Sequence, residues 1–338
     1  MLAITTGEMR ELDRRTIDED GIPGEILMER AGIGVARALD RIVATGLLPM
    51  ARSRTAIWLV AGRGNNGGDA FVAARHLYGW GYQIRVLLAG GVEDLNGDAL
   101  LHLRRMRDVG IVPQELPRPE DWHEFNPAKY PELPRPAIIV DGLLGTGIQG
   151  APRDTMAAAI NFINNRRHTT RIVAIDVPSG LNADDGSAPG PAVQADITLT
   201  MACPKTGLLQ GRAMDYVGNL EVLDIGIPAK FKPQRSSDLE LITPADISFL
   251  AQRRSRTAHK GSFGHLVIIA GAAGFSGAAI MAAYACRRLP TATWRKNPGQ
   301  PPWIKSKAPQ PCWSVPESPR LPDWRRCWKT CCDKPLHH

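Results

Sequence analysis

The stretch VAGRGNNGGDAFVAARHL, residues 60–77, decides the fold of this 338-residue chain. An apolar run at 55–60 leads into a loop with four glycines and two asparagines, and spacing typical of an amphipathic helix follows. This order predicts a strand, a tight turn and a helix start, an arrangement whose backbone N–H groups can hold a phosphate. Asn65, Asn66 and Asp69 add polar side chains to the same loop.

Three glycines of this loop also fit the pattern G-x-G-x-x-G, which on its own is weak evidence for dinucleotide binding. A dinucleotide oxidoreductase should carry an acid at the end of its second strand, where the ribose binds. The second predicted strand, at 83–88, runs instead into Ala89 and Gly90. This disfavours an ordinary Rossmann oxidoreductase, which stays an alternative.

Strands alternate with helices over the first 228 residues. Two helices are predicted first, at 7–20 and 25–45, separated by the helix-breaking segment GIPG. The predicted strands lie at 55–61, 83–88, 137–140, 171–175, 195–200 and 219–224, and the further helices at 68–80, 96–109 and 153–165. Short, almost wholly apolar strands are typical of a sheet covered by helices on both faces. We therefore expect a doubly wound α/β fold with a mainly parallel sheet.

Three acids fall at the carboxyl ends of predicted strands, where open parallel sheets bind ligands. Asp69 lies in the first loop, Asp141 follows the strand AIIV, and Asp176 follows the strand IVAI. A single aspartate after a strand ordinarily caps its own loop. Asp141 and Asp176, however, each open a loop of small residues, DGLLGTGIQG and DVPSG. Their shared position favours a functional site at this edge.

The residue types at this edge point away from covalent catalysis. Ser179 could act as a nucleophile, but His76 and His168 lie in no motif that would pair with it. Asn66, Asp141 and Ser179 together offer only oxygen ligands, which suit a hard cation rather than zinc.

Composition bounds the compartment and the partners. The net charge is +7, but the last 50 residues alone hold nine Lys or Arg against three Asp or Glu, so the basic character gives no reason to expect nucleic acid. Only Cys203, expected to be a packed thiol, and Cys286 precede that tail, which indicates a reducing cytoplasm. The apolar segment 266–286 reads as strand, turn and helix rather than as a membrane span.

The chain is predicted to change character after residue 228. A polar linker at 229–238 leads to a second unit at 239–288, which begins with the helix-start signal Thr-Pro-Ala-Asp at 243–246. About 50 residues are too few for an independent α/β core. The segment 289–338 is rich in Pro, Trp and Cys without periodicity, and we expect it to be disordered.

Residues 1–228 resemble the NAD(P)H-hydrate epimerase family, whose members interconvert the R and S forms of hydrated NADH and NADPH. The resemblance rests on LMERAG at 27–32, GRGNNGGDAFVAARHL, DGLLGTGIQG, AIDVPSGLNADDG and PKTG at 204–207. It implies a small-molecule substrate and allows a homodimer. Inversion requires acid-assisted departure of water and its return to the other face of the ring, and we assign this proton transfer to Asp176.

The resemblance also implies the binding residues. Potassium would be bound by Asn66, Asp141 and Ser179. The hydrated nucleotide would be bound by Asn65, Asn66, Gly67, Gly68, Asp69, Gly145, Thr146, Gly147, Ile148, Gln149, Gly150, Ala151 and Asp176. Some members of the family carry a lysine, to which a role is assigned, where this chain has Gln149.

The fragment 239–288 resembles the start of the ADP/ATP-dependent NAD(P)H-hydrate dehydratase, a ribokinase-like domain, through HKGSFGH and AGAAGFSGAA. The later motifs that would bind ADP or ATP and catalyse loss of water are absent, so dehydratase activity is expected to be lost. The composition after Arg288 is typical of translation in a shifted reading frame. These departures leave open a second alternative, a nucleotide-binding or scaffold protein without turnover.

Overall fold

The computed structural model describes residues 1–45, 51–125, 134–147, 150–232 and 239–248, and the single positions 257, 277, 280, 281 and 284. The chain divides into two compact units, Met1–Gln252 and Arg253–His338. The first unit contains every described helix and strand whose bounds follow. In the second unit positions 277, 280, 281 and 284 are helical. Most of the predicted dehydratase fragment and the whole predicted tail lie outside the described residues, so these predictions stay untested.

The first unit alternates helices and strands much as the sequence predicts. Its strands are β1 Ala56–Ala61, β2 Gln83–Leu88, β3 Gln114–Glu115, β4 Ile138–Gly142, β5 Arg171–Ile175, β6 Ile197–Met201 and β7 Asn219–Leu223. Its helices are α1 Thr6–Asp18, α2 Gly24–Ala44, α3 Asn65–Gly79, α4 Gly97–Asp108, α5 Pro119–Glu124, α6 Asp154–Asn164 and α7 Met214–Val217. The short elements β3, α5 and α7 were not predicted, because two to six residues are too few to show a period.

The strands form one seven-stranded sheet in the order β3-β2-β1-β4-β5-β6-β7. Every pairing in it is parallel. The chain runs outward from β1 in one direction and from β4 in the other, so β1 and β4 flank the topological switch point where such sheets bind ligands. The prediction of a doubly wound α/β fold is confirmed.

Both faces of the sheet are buried, which explains why the central strands are continuous apolar runs. All six residues of β1 are buried. Ile57 and Leu59 point into a core formed with α2, α3 and α4, whereas Trp58 and Val60 point into a second core with α5 and α6. Alternate side chains of one strand thus hold two helical layers in place.

Helix α3 begins earlier in the sequence than predicted. Helix α3 begins at Asn65, with Gly64 as an extended N-cap, rather than near Gly68. A Cβ on Gly67 would lie 2.0 Å from the carbonyl oxygen of Gly62, and the helix can begin here because glycine permits this approach. The two asparagines and Asp69 therefore belong to the first two turns of the helix.

The N-terminal segment is part of the same unit. The backbone of Ile4 brackets Lys205, since Ile4 N–H donates to Pro204 O at 2.9 Å and Thr206 N–H donates to Ile4 O at 2.9 Å. Further along, Leu241 N–H donates to Met1 O at 2.8 Å. Within the part of the chain that is described, no helix is long and apolar enough to cross a membrane.

Candidate functional site

The glycine-rich turn after β1 presents the N-terminus of α3 at the carboxyl edge of the sheet. The first N–H groups of a helix have no partner within the helix. At the N-terminus of this 15-residue helix they can bind a phosphate. A Cβ on Gly62 would lie 1.9 Å from Leu143 O, so this turn packs directly against the loop after β4. The first two predicted binding loops are therefore neighbours.

Asn66 joins three loops rather than reaching outward to a phosphate. Its side chain is buried, and its Nδ2 donates to Leu144 O and to Ile175 O, each at 3.1 Å. These carbonyls belong to the loop after β4 and to the end of β5. Asn65, by contrast, is exposed at the helix start and is free to meet a ligand.

Asp141 and Ser179 form a buried pair beside Asn66. Asp141 lies inside β4, and its carboxylate accepts from Ser179 Oγ at 2.6 Å, from Ser179 N–H at 2.8 Å and from Leu143 N–H at 3.2 Å. Burial raises the pKa of Asp141 to about 6, against the lowering effect of these hydrogen bonds. Ser179 Oγ also lies 3.3 Å from Leu144 O, the carbonyl that Asn66 binds. The three predicted cation ligands are thus brought together.

The donor set of this place fits an alkali cation. It combines the carboxylate of Asp141 and the hydroxyl of Ser179 with the nearby carbonyls of Leu144 and Ile175, all of them oxygen ligands, while the amide of Asn66 meets both carbonyls through its Nδ2. Among the described residues Asp141 has no ion-pair partner, so its buried charge is uncompensated. The described ranges also contain no cluster of three or more His, Cys, Asp or Glu side chains that could hold a metal.

Asp176 stands immediately after β5 in a strained conformation. Its φ of 62° lies in the left-handed region, which a non-glycine residue adopts at a cost of about 1–3 kcal/mol and which often marks functional sites. Its Oδ1 accepts from Thr200 Oγ1 at 3.2 Å, from Met201 N–H at 3.2 Å and from Lys205 Nζ at 2.5 Å. The side chain keeps 14% exposure, so the carboxylate can be reached from the edge of the sheet.

Lys205 is a candidate site residue that the sequence analysis left without a role. It lies in the PKTG motif, is wholly buried, and donates to Asp176 Oδ1, Thr200 Oγ1 and Met201 O at 2.5, 2.9 and 2.9 Å. All three of its N–H donors are therefore satisfied. A signal was available, because Lys205 follows β6 and Asp176 follows β5, and these parallel strands are neighbours in the sheet.

Two further carboxyl groups face this ion pair. Asp69 is 9% exposed, and its pKa lies well above the usual range because of burial first and then the nearby charges of Asp176 and Asp13. Burial also raises the pKa of Asp13, on α1, to about 6, while Lys205 opposes the shift and Asp176 adds to it. We call Asp13, Asp69, Asp176 and Lys205 the acid cluster. It brings together carboxyl groups in different environments. Different environments move the pKa values of neighbouring carboxyl groups apart, so that one can act as a proton donor and another as a proton acceptor.

The loop after β4 leaves this edge open. Gly145 and Thr146 are half-buried, whereas Gly147, Gly150 and Ala151 are exposed. The neighbouring predicted contacts, Ile148 and Gln149, lie outside the described residues. A short glycine-containing loop on the exposed side of the switch point can meet a ligand with its backbone.

Two other expectations can be compared with the structure. Cys203 is buried and burial raises the pKa of its thiol, as expected for a packed cysteine.

At the end of β2, where no ribose acid was found, Asp94 accepts from Gly91 N–H at 3.2 Å and pairs with Arg63 Nη1 at 3.3 Å. An acid therefore does lie near this place, but it is already engaged by the first loop.

The parallel sheet, with a glycine-rich helix start and the acid cluster at one edge, defines a doubly wound α/β protein with a candidate ligand site. The chain belongs to the family described as YjeF-related protein N-terminus, whose sequence model matches residues 24–207. This matched range contains the asparagine helix start, Asp141, Asp176, Ser179 and Lys205, but not Asp13. The comparison supports the resemblance drawn from the motifs.

Curated relatives carry a more specific description. A bifunctional NAD(P)H-hydrate repair enzyme from Moorella thermoacetica is 37% identical over 286 residues, covering 84% of this chain and 52% of that protein. One from Salinibacter ruber is 38% identical over 294 residues, with coverages of 84% and 52%. One from Leishmania major is 39% identical over 235 residues, with coverages of 68% and 40%. The chain thus spans about half the length of the curated relatives it matches.

A solved structure supports the fold. The crystal structure of the yeast protein ynu0, YNL200c, matches with a TM-score of 0.54 at 22% identity, covering 64% of this chain and 86% of that one. At this identity the likeness bears on the architecture alone.

Proposed function

We propose that this chain catalyses epimerisation between the R and S forms of hydrated NADH and NADPH. The observation that carries the proposal is the buried Lys205–Asp176 ion pair beside Asp69, at the switch-point edge of a chain whose curated relatives are named NAD(P)H-hydrate repair enzymes. Strongly perturbed carboxyl groups cluster at catalytic sites more often than elsewhere.

The chemistry requires one proton to be given and one to be taken. The hydroxyl of the hydrate sits beside the ring nitrogen, and once protonated it leaves as water while the nitrogen lone pair stabilises the ring cation. Water then adds to the opposite face and loses a proton. Asp69, whose raised pKa favours the protonated carboxyl, donates to the departing hydroxyl, and the carboxylate of Asp176 accepts from the incoming water. The proton returns from Asp176 to Asp69 before the next turnover.

The nucleotide is held by the two glycine-rich loops. The N-terminus of α3, from Asn65 to Gly67, binds the phosphates, since the first N–H groups of the helix and the helix dipole favour anions. The loop after β4, of which Gly147, Gly150 and Ala151 are exposed, covers the ring and sugar portion and presents it to Asp176.

Potassium is the cation that we assign to Asn66, Asp141 and Ser179. When bound, it supplies the positive charge that the buried carboxylate of Asp141 lacks. Ser179 and Asn66 keep the loops after β1, β4 and β5 in register through Leu144 O.

We assign residues 239–288 to a segment related to the start of the NAD(P)H-hydrate dehydratase domain, and 289–338 to a frameshifted tail. A cytoplasmic location and a homodimer remain expectations, as does the absence of nucleic-acid and membrane partners.

One assay separates this function from the two alternatives. Purified S-form hydrated NADH is incubated with the chain, and the R form, NADH and NAD⁺ are followed by chromatography. Formation of the R form without redox change supports the epimerase. Binding without inversion would indicate a nucleotide-binding scaffold, and appearance of NAD⁺ or transfer of hydride would indicate an oxidoreductase. Either of the last two results would overturn the proposal.

A further inference from the structure

Helix α1 lies outside the range that the family model matches, yet it adjoins the acid cluster. Ile4, just before the helix, pairs with the Lys205 loop on both sides of the lysine, and both side chains are wholly buried. Asp13, further along the helix, interacts electrostatically with Lys205 and Asp176. The environment of the lysine therefore depends on where α1 sits.

The residue Asp184 connects the start of α1 to the loop that contains Lys205. Asp184 Oδ1 accepts from Thr6 N–H at 2.6 Å, and Asp184 Oδ2 accepts from Thr6 Oγ1 at 2.7 Å. The backbone carbonyl of Asp184 accepts from Thr206 Oγ1 at 2.9 Å. A carboxylate at the N-terminus of a 13-residue helix is favoured by the helix dipole, and its hydrogen bonds are charge-assisted.

The backbone around Asp184 is rigidly attached to the Lys205 loop. Gly207 N–H donates to Ala183 O at 2.7 Å, and a Cβ on Gly207 would lie 2.5 Å from Asn182 O. Asp184 N–H donates to Asn182 Oδ1 at 2.9 Å, which fixes the turn that presents the carboxylate. Two backbone segments in such close contact move together, so a shift of α1 is resisted through Asp184.

We propose that Asp184 is a positioning residue of this site, which holds α1 over the PKTG loop and thereby keeps Lys205 against Asp176. The proposal rests on the proposed epimerase function, because the value of a fixed Lys205–Asp176 pair lies in proton transfer. Asp184 touches no reacting atom. Its effect is exerted through Thr6, Thr206 and the lysine.

The test compares Asp184→Ala, Asp184→Asn and the control Asp185→Asn in the full chain. Asp185 is exposed as Asp184 is, but its carboxylate binds within its own loop, to Ser187 N–H at 2.8 Å, and not to α1. The first readout does not need activity: amines are labelled with acetic anhydride, and the rate at Lys205 is measured by mass spectrometry against the exposed Lys230. The second readout is kcat and KM for inversion of hydrated NADPH.

We expect Asp184→Ala to raise the relative labelling rate of Lys205 by roughly 10-fold, the order expected when charge-assisted hydrogen bonds that close a segment are lost. The same variant should lower kcat by roughly 10- to 100-fold with KM unchanged, since misplacement of a reacting group acts on the chemical step. Asp184→Asn should recover most of both properties, because its amide oxygen still accepts from Thr6. Asp185→Asn should behave as the wild type.

Unchanged labelling, or unchanged kcat in Asp184→Ala, overturns the proposal. If Asp184→Ala does not fold, Thr6→Val, which removes only the hydroxyl donor, must show the same changes at smaller size, and the absence of both there also overturns it. If the wild type inverts no substrate, the epimerase function is refuted instead. The labelling rate of Lys205 then still tests whether Asp184 holds α1 in place, because that measurement does not depend on activity.

Discussion

The ammonium of Lys205 lies 2.5 Å from the carboxylate of Asp176, although the lysine side chain has no exposure to solvent. Removing two charges from water costs more than their attraction commonly returns, so a buried ion pair is poor evidence for stability. The left-handed backbone of Asp176 adds a further cost. The buried ion pair and the left-handed backbone both destabilise the fold at Asp176, as is expected of a residue that is retained for catalysis.

Substitution of Lys205 should change the titration of its neighbours. Lys205 opposes the rise in the pKa of Asp13, so in Lys205→Met that pKa should move above its value of about 6. The shift can be followed through the side-chain carboxyl carbon of Asp13 by NMR. Lys232→Met, at a half-exposed position paired with Asp224, serves as the control and should leave Asp13 unaffected. An unaltered titration of Asp13 in Lys205→Met would show that the acid cluster is not coupled.

Asp13 should make the stability depend on pH in a particular direction. Its pKa in the folded chain, about 6, lies above the ordinary value of 3.8, so the fold favours the protonated carboxyl. Stability from this group is therefore complete below about pH 4 and is lost as the pH rises through 6. Urea unfolding at pH 4.5 and 7.5 should show that Asp13→Asn reduces this loss. A variant with the same pH dependence as the wild type would show that folding does not raise the pKa of Asp13.

Potassium should stabilise the chain through Asp141. At equal ionic strength, potassium chloride should raise the melting temperature at pH 7.5 above that in choline chloride, because a ligand that binds only the folded state stabilises it. Asp141→Asn should abolish the difference. Asp224→Asn, which alters an exposed carboxylate far along the chain, should retain it. Equal melting temperatures in the two salts at saturating concentration would remove the cation site.

Truncation should separate the two compact units. A chain ending at Gln252 keeps the whole first unit and should retain its melting temperature and inversion rate. A chain ending at Pro228 loses Phe231, which is 5% exposed, and residues 239–241, which pair with the N-terminus. It should melt at a lower temperature by differential scanning calorimetry. Loss of inversion in the chain that ends at Gln252 would mean that the second unit contributes to activity. Equal melting temperatures of the two truncated chains would mean that Phe231 does not stabilise the core.

The fold could be predicted because its central strands are continuous apolar runs. The strands at Ala56–Ala61 and Arg171–Ile175 were predicted within one residue of their bounds. The start of α3 was misplaced because Gly67 and Gly68 are poor helix formers, and only the packing of Gly67 on Gly62 explains a helix there. Such a close approach between backbones leaves no periodic pattern in the sequence.

The candidate site could be predicted only in part, for a topological reason. Asp141 and Asp176 were placed together by the rule that parallel strands end at one edge, and the same rule would have found Lys205 after β6. Asp13 could not be found in this way. It lies on a helix that precedes the sheet, and its approach to Lys205 depends on contacts of Ile4 and Thr6 with residues about 180 to 200 positions away.

The central claim is that Asp176 transfers protons in an inversion of hydrated nicotinamide nucleotides, and its most direct test is the rate of S-to-R conversion of purified hydrated NADPH. The wild type, Asp176→Asn and buffer alone are compared at one pH and one potassium concentration. The account predicts conversion above buffer by the wild type, and a fall of roughly 100-fold or more in Asp176→Asn with the melting transition preserved, as for loss of an acid–base group. A wild type no faster than buffer, or a folded Asp176→Asn chain that keeps more than about a tenth of the wild-type rate, would contradict it.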